Sequence, residues 1–182
     1  MPNQIAATAL RILLFRAGPQ DFPYSETLSR AIVPLTALVW FLQYRLTLPL
    51  VQALVQAMAS LAVLASFSYV VLQKRGLLNR LRQTLDSLFL TDAALTVVLL
   101  PPLSVLAPHM LRIADNPELA KTEPLPALPA LAVIALSLWN FLVSAHIYRH
   151  ALNTGFGMGS LAALMAAVVT VSVASAVGAL LG

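Results

Sequence analysis

Two histidines one helical turn apart, His146 and His150, have the clearest capacity for chemistry in this chain. Imidazoles at i and i+4 share a helix face and can hold a metal ion between them. They sit at the basic end of residues 137–150, SLWNFLVSAHIYRH, on the face that also carries Trp139 and Val143. A third ligand must come from elsewhere. Asp92 is the carboxylate at matching depth, which would complete a two-His, one-carboxylate set. The competing reading makes the histidines interfacial anchors beside Tyr148 and Arg149, with Asp92 or Thr91 capping a helix. That reading is preferred, because no third ligand accompanies the pair in its own motif. No cofactor is expected, and His109 falls at the opposite end of its helix.

A second constellation lies on another face of the same run. Ser137, Asn140 and Ser144 are spaced i, i+3, i+7. An amide deep in a membrane needs a partner. Gln52 and Gln56, which share a face with Ser60 at i, i+4, i+8 on an earlier apolar segment, are the expected partners. Such groups either hold helices together, at about 0.6 kcal/mol per hydrogen bond in membranes, or line a path for a small neutral solute. Packing is the preferred reading. The glycines at 155, 157 and 159 follow a helix and lack a Gly-Lys-Ser/Thr ending, so they form no phosphate loop.

The elements that must position these side chains are membrane helices. Of 182 residues, 59% are hydrophobic and 10% charged, against roughly a quarter charged in soluble domains. Mean hydropathy is +0.85. With about 20 apolar residues needed per span, the sequence predicts an all-α membrane protein of five transmembrane helices. They cover residues 28–45, 48–72, 92–111, 129–150 and 159–181 of a single polytopic domain, 1–182. Two interfacial helices are predicted, over 3–17 and 77–90. The second is amphipathic, with Leu77, Leu78, Leu81, Leu85, Leu88 and Phe89 on one arc.

Local signals set the ends. Ser25 reads as an N-cap, Gly18-Pro19 as a helix stop, and Asn153 with Gly155 as a C-cap. Trp40, Phe41, Tyr44 and Arg45 form an aromatic and cationic cluster suited to an interface. Pro101-Pro102 should bend or break the third span. On the fifth, Gly159, Ala163, Ala167, Thr170, Ala174 and Gly178 make a stripe of small residues. Such a stripe lets helix backbones approach closely in lipid.

Charge orients the bundle. Five spans put Arg11, Arg16, Arg30, Lys74, Arg75, Arg80, Arg82 and Arg149 on one side, and Arg45, Arg112 and Lys121 on the other. The positive-inside rule then gives a cytoplasmic N-terminus and a periplasmic C-terminus, in a bacterial inner membrane. A sequence pI of about 10.0 without a basic run reflects these flanks, and no nucleic-acid partner is expected. There is no cysteine, which excludes thiolate chemistry. No charge is expected in the middle of a span, which argues against a coupled ion transporter.

The stretch Phe15-Arg16-Ala17-Gly18-Pro19-Gln20-Asp21-Phe22-Pro23-Tyr24-Ser25 before the first span, together with the five-helix layout, resembles the Yip family of Rab-interacting membrane proteins and its bacterial relatives. The acidic-Leu-Tyr-Gly-Pro motif of its eukaryotic members is not present. The resemblance implies a role in organising membranes and protein partners. The expected function is therefore a non-catalytic scaffold, assembly or accessory subunit, not an enzyme. Its partners would be the lipid bilayer and other membrane subunits or a second copy. A haem- or metal-binding protein using His146 and His150, or a neutral-solute channel, are the alternatives.

Overall fold

The computed structural model describes residues 2–23 and 25–181. Met1, Tyr24 and Gly182 lie outside the described residues, Tyr24 being part of the stretch that carries the family resemblance. The described residues form helices and connecting turns, with no strand among them. Seven α-helices follow in order: α1 (Pro2–Leu13), α2 (Glu26–Tyr44), α3 (Leu50–Lys74), α4 (Leu81–Asp115), the single turn α5 (Leu119–Thr122), α6 (Ala127–Ala151) and α7 (Phe156–Leu181).

Four helical stretches are long and apolar enough to cross a membrane: Leu50–Lys74, Leu78–Asp115, Ala127–Ala151 and Phe156–Leu180. These cover four of the five expected spans. The remaining one, 28–45, corresponds to α2, which is not among the four. Glu26 and Arg30 charge its first turns, and only residues 31–44 are free of charge, about 21 Å of helix against a hydrocarbon core of about 30 Å.

The largest departure concerns residues 77–90. The expected interfacial helix is not separate from the following span. After a 3-10 turn at Leu78–Arg80, the chain runs as one helix of 35 residues, α4. That is about 52 Å at 1.5 Å per residue. Nothing between Gly76 and Pro101 breaks a helix, and the apolar arc of 77–90 leads directly into the apolar run after it. The Thr91 hydroxyl donates to the Ser87 carbonyl at 2.7 Å, a mid-helix bond instead of a cap. Pro101 and Pro102 lie inside α4 without ending it.

Several turns form as the residues dictate. The Ser25 hydroxyl accepts from the Leu28 amide, capping α2. Asn153, at φ 53°, closes α6. The Thr154 and Asn153 amides bond back to the Arg149 and His150 carbonyls, the paired pattern of a Schellman cap. Gly76, at φ 68°, does the same after α3. α1 ends four residues before the expected 17, because Phe15 takes the left-handed conformation at φ 59°. A side chain there costs about 1–2 kcal/mol. Edge contacts of the Phe15 ring with Trp139 and His146, at 5.2 and 5.3 Å, hold it in place.

Helix packing follows the order α2, α4, α6, α7, α3 and back to α2, a closed ring. α1 and the segment after it lie across α4 and α6. That segment is a packed strap: Ala17, Gly18, Pro19 and Phe22 are buried. The Gln83 amide donates to the Phe22 carbonyl at 2.8 Å. Arg80 donates to the last carbonyls of α6, His150 and Ala151, at 3.1 and 3.3 Å. These contacts gather at the end of the bundle rich in Lys and Arg, the basic end below.

Candidate functional site

Asp92 is the residue around which the ring is assembled. It is eleven residues into α4, and its partner Asn140 is eleven residues from the end of α6. Both therefore sit about 16 Å from the basic ends of their helices. Asn140 Nδ2 donates to Asp92 Oδ1 at 2.6 Å. The Trp40 indole N–H, from α2, donates to Asp92 Oδ2. The Thr96 hydroxyl, one turn on, hydrogen-bonds the same carboxyl group. Three helices thus converge on one side chain. α2 is pinned to α4 at two further points. Ser29 donates to Asp86 Oδ2 at 2.7 Å, and Thr36 to the Phe89 carbonyl at 3.2 Å.

Asp92 therefore caps nothing and does not sit at a helix end. It is an interior carboxylate.

Beside this carboxyl group is a cavity of two lobes, about 250 and about 280 Å³, which share Trp40, Asp92, Ser137, Asn140 and Thr170. The first lobe leads away from the basic end, past Tyr44, Ser60, Leu99 and Leu136. The second leads towards it, between Leu64, Leu88, Phe141, Tyr148 and Ala163, and is mainly apolar. All five ring helices line each lobe.

Below the second lobe the bundle is closed. Tyr148, Val143 and Leu72 are fully buried. The Tyr148 and Ser68 hydroxyls are 2.8 Å apart in a hydrogen bond joining α6 to α3. Phe67 meets the Tyr148 ring edge-on at 6.1 Å. In the other direction α6 and α7 are open. Every buried residue of α6 falls between Val143 and Ala151, whereas Leu128, Leu131 and Ile134 are more than 60% exposed. On α7 burial is confined to Gly159, Ala162, Ala163 and Ala166.

The remaining predicted residues divide. His146 and His150 do stack, with ring centroids 4.6 Å apart. The His146 Nε2–H, however, donates to the Ala17 carbonyl of the strap at 2.8 Å. Asp92 is committed to Trp40, Asn140 and Thr96. Among the described residues no group of three His, Cys, Asp or Glu side chains comes together to hold a metal. The set His146, His150 and Asp92 is therefore not assembled. Of the groups expected to line a solute path, Asn140 lines the cavity while Gln52 and Gln56 do not, and Ser137 and Ser144 line it beside Asn140. Asn140 pairs with Asp92 and not with the glutamines.

The small-residue stripe is used over its first half. A Cβ on Gly159 would lie 2.5 Å from the Ala145 carbonyl oxygen and 2.6 Å from the Arg149 Cβ, so α6 and α7 touch backbone to backbone. Ala163 is buried beside it. Ala167 is exposed, lining the second lobe, and Gly178 has open space around it.

The sequence does not mark Trp40, Thr96 or the Tyr148–Ser68 pair as interior groups, and it marks Thr170 only as part of the small-residue stripe. Trp40 sits in an aromatic cluster that reads as interfacial, yet it is buried. Its spacing of four from buried Thr36 is the signal that could have placed it inward.

A comparison with protein-family models, curated proteins and solved structures finds no match.

Proposed function

We propose that this chain is a non-catalytic protein of a bacterial inner membrane that binds a small polar solute inside its helix ring. The observation that carries this reading is the two-lobed cavity at Asp92. An ionisable group inside a membrane helix marks a ligand or ion site by default, and pockets between bundle helices are the usual place for small ligands. The scaffold reading has less to stand on. The Gly159 and Ala163 face that would have received another subunit is occupied within the chain by α6.

In this reading α2 is the fifth span. The strap is fastened at the basic end, through Ala17 to His146 and Phe22 to Gln83, while α3 starts at the opposite end. The chain must cross between them within residues 23–49. The Lys and Arg residues at the strap end support a cytoplasmic orientation for that side. Single cysteines in this cysteine-free background test the topology. Cysteines at Gln4 and Lys74 should be labelled from the cytoplasmic side only, and those at Thr47 and Thr122 from the periplasmic side only. Labelling of Gln4→Cys and Thr47→Cys from one side would remove α2 as a span.

The solute site is tested by thermal unfolding of detergent-solubilised protein against a panel of small polyols, amides, amines and carboxylates. A ligand at one hundred times its Kd adds about 2.7 kcal/mol, a rise of roughly 5 °C or more for a chain of this size. At least one class should give this in the native protein and none in Thr170→Trp, whose indole would fill the space common to both lobes. A flat response across the panel would overturn the reading.

A further inference from the structure

The cavity has a sign. Neither lobe is lined by Lys, Arg or His, and Asp92 is the sole acidic group in either. A carboxylate away from water needs a counter-charge or a full set of donors. The donors of the chain that reach it, Trp40 Nε1, Asn140 Nδ2 and the Thr96 hydroxyl, are neutral and already engaged. What remains unpaired nearby is an acceptor: Asn140 Oδ1 is buried without a hydrogen-bond partner. Of the wall hydroxyls, Tyr44 is matched with Ser60 at 2.9 Å and Tyr148 with Ser68, and those of Ser137, Ser144 and Thr170 carry no charge to balance Asp92. Asp92 and the Asn140 carbonyl oxygen, joined through the Asn140 side chain, thus call for an occupant that donates hydrogen bonds and carries positive charge.

The second lobe restricts the rest of the occupant. Its walls beyond Asp92 are Leu64, Leu88, Phe141, Ala163 and Ala166, with the Tyr148 ring at the closed end. A cavity of about 150 Å³ accepts benzene, so about 280 Å³ has room for a short alkyl chain or one ring. The first lobe is more polar and leads outwards past Gln43, Tyr44 and Ser60. The ammonium group would sit at the waist between the lobes, against Asp92.

We propose that the ligand is a small organic ammonium ion with an apolar substituent, its N–H groups on Asp92 and Asn140 Oδ1 and its hydrocarbon part in the second lobe. This rests on the interior-site reading above and assigns its ligand class.

Calorimetry of the purified protein in detergent, with n-butylammonium, n-butanol, butyrate and methylammonium as probes, tests it. Butylammonium should bind saturably and at least tenfold more tightly than butanol or butyrate. Protons and ammonium ions compete for one carboxylate, so its affinity should fall as the medium is acidified. Asp92→Asn should lose tenfold or more for butylammonium and little for butanol. Ala166→Phe, which shortens the apolar lobe, should weaken butylammonium and leave methylammonium unchanged. Butanol or butyrate binding as tightly as butylammonium would overturn the ligand class while leaving the interior site standing. No binding of any probe to the native protein would overturn both. Should Asp92→Asn fail to fold, the comparison of charged and neutral probes on the native protein still decides.

Discussion

Gly159→Leu is expected to be among the most destabilising single changes in this protein, at 3 kcal/mol or more. Even the first carbon of a side chain would stand 2.5 Å from the Ala145 carbonyl oxygen. Its neighbours there are backbone and Cβ atoms of α6, which cannot swing aside as a flexible side chain would. Overpacking a core by a few methylenes costs about 1–3 kcal/mol, and separating two helices at a backbone contact exceeds that range. In lipid the loss is not offset elsewhere, because close van der Waals packing is itself the main attraction between helices. Gly159→Ala should already be severe. Gly178→Ala provides the contrast. It has nothing within 4 Å, and alanine is better in a helix by about 0.8–1 kcal/mol, so it should be neutral or slightly stabilising. Thermal unfolding of the three variants in one detergent measures the difference. Equal melting temperatures for Gly159→Leu and the native protein would show that α6 and α7 do not meet there.

Asp92→Leu is expected to cost about 2–5 kcal/mol, although leucine is close in volume and the surroundings are partly apolar. The substitution strands the Trp40 indole N–H and Asn140 Nδ2, whereas the Thr96 hydroxyl can turn back to a carbonyl of its own helix. Each buried group left without a partner costs about 1–3 kcal/mol. Asp92→Asn keeps one oxygen for these donors and should lose about half as much. The decisive measurement is a double-mutant cycle with Asn140→Leu. Removing both partners of a buried pair is far milder than removing one, so the double variant should be more stable than the sum of the singles by about 1–3 kcal/mol. Additive losses would mean that the two side chains do not interact.

The two predictions rest on features that differed in how far they could be read from the sequence. Gly159 and Ala163 were legible because the spacing of small residues on an apolar helix has a packing consequence of its own. The same rule overextended to Ala167 and Gly178. Periodicity cannot say where two helices diverge. The helices from Ala127 and Phe156 were found within three residues of their starts, because uninterrupted apolar runs are set by bilayer thickness. Ser25 and Asn153 acted as caps as their side chains dictate.

Asp92 was found as a residue but misplaced as an element. Next to Thr91, at the apparent edge of an apolar run, an acidic side chain looks like a helix start. The overlooked signal was negative: no glycine or proline separates Leu77 from Leu100, so the amphipathic segment and the following span had no reason to part. By residue type alone, Trp40 and Tyr148 suit an interface. Their inward direction depends on the crossing of helices distant in sequence, which composition does not encode. The histidine pair was placed correctly on one helix face, but its use by the Ala17 carbonyl depends on how the strap lies.

The strap, the three left-handed turns at Phe15, Gly76 and Asn153, the Arg80 contacts and the Tyr148–Ser68 bond all belong to one end of the ring. Among the described residues, the far halves of α6 and α7 have no comparable fastening. Such a body is clamped like the handle of a pair of tongs, and its least costly collective movement is the spreading and closing of the free tips. Asp92 sits near the pivot. A molecule held there would meet the bundle where small changes of angle become the largest displacements at the opposite membrane face.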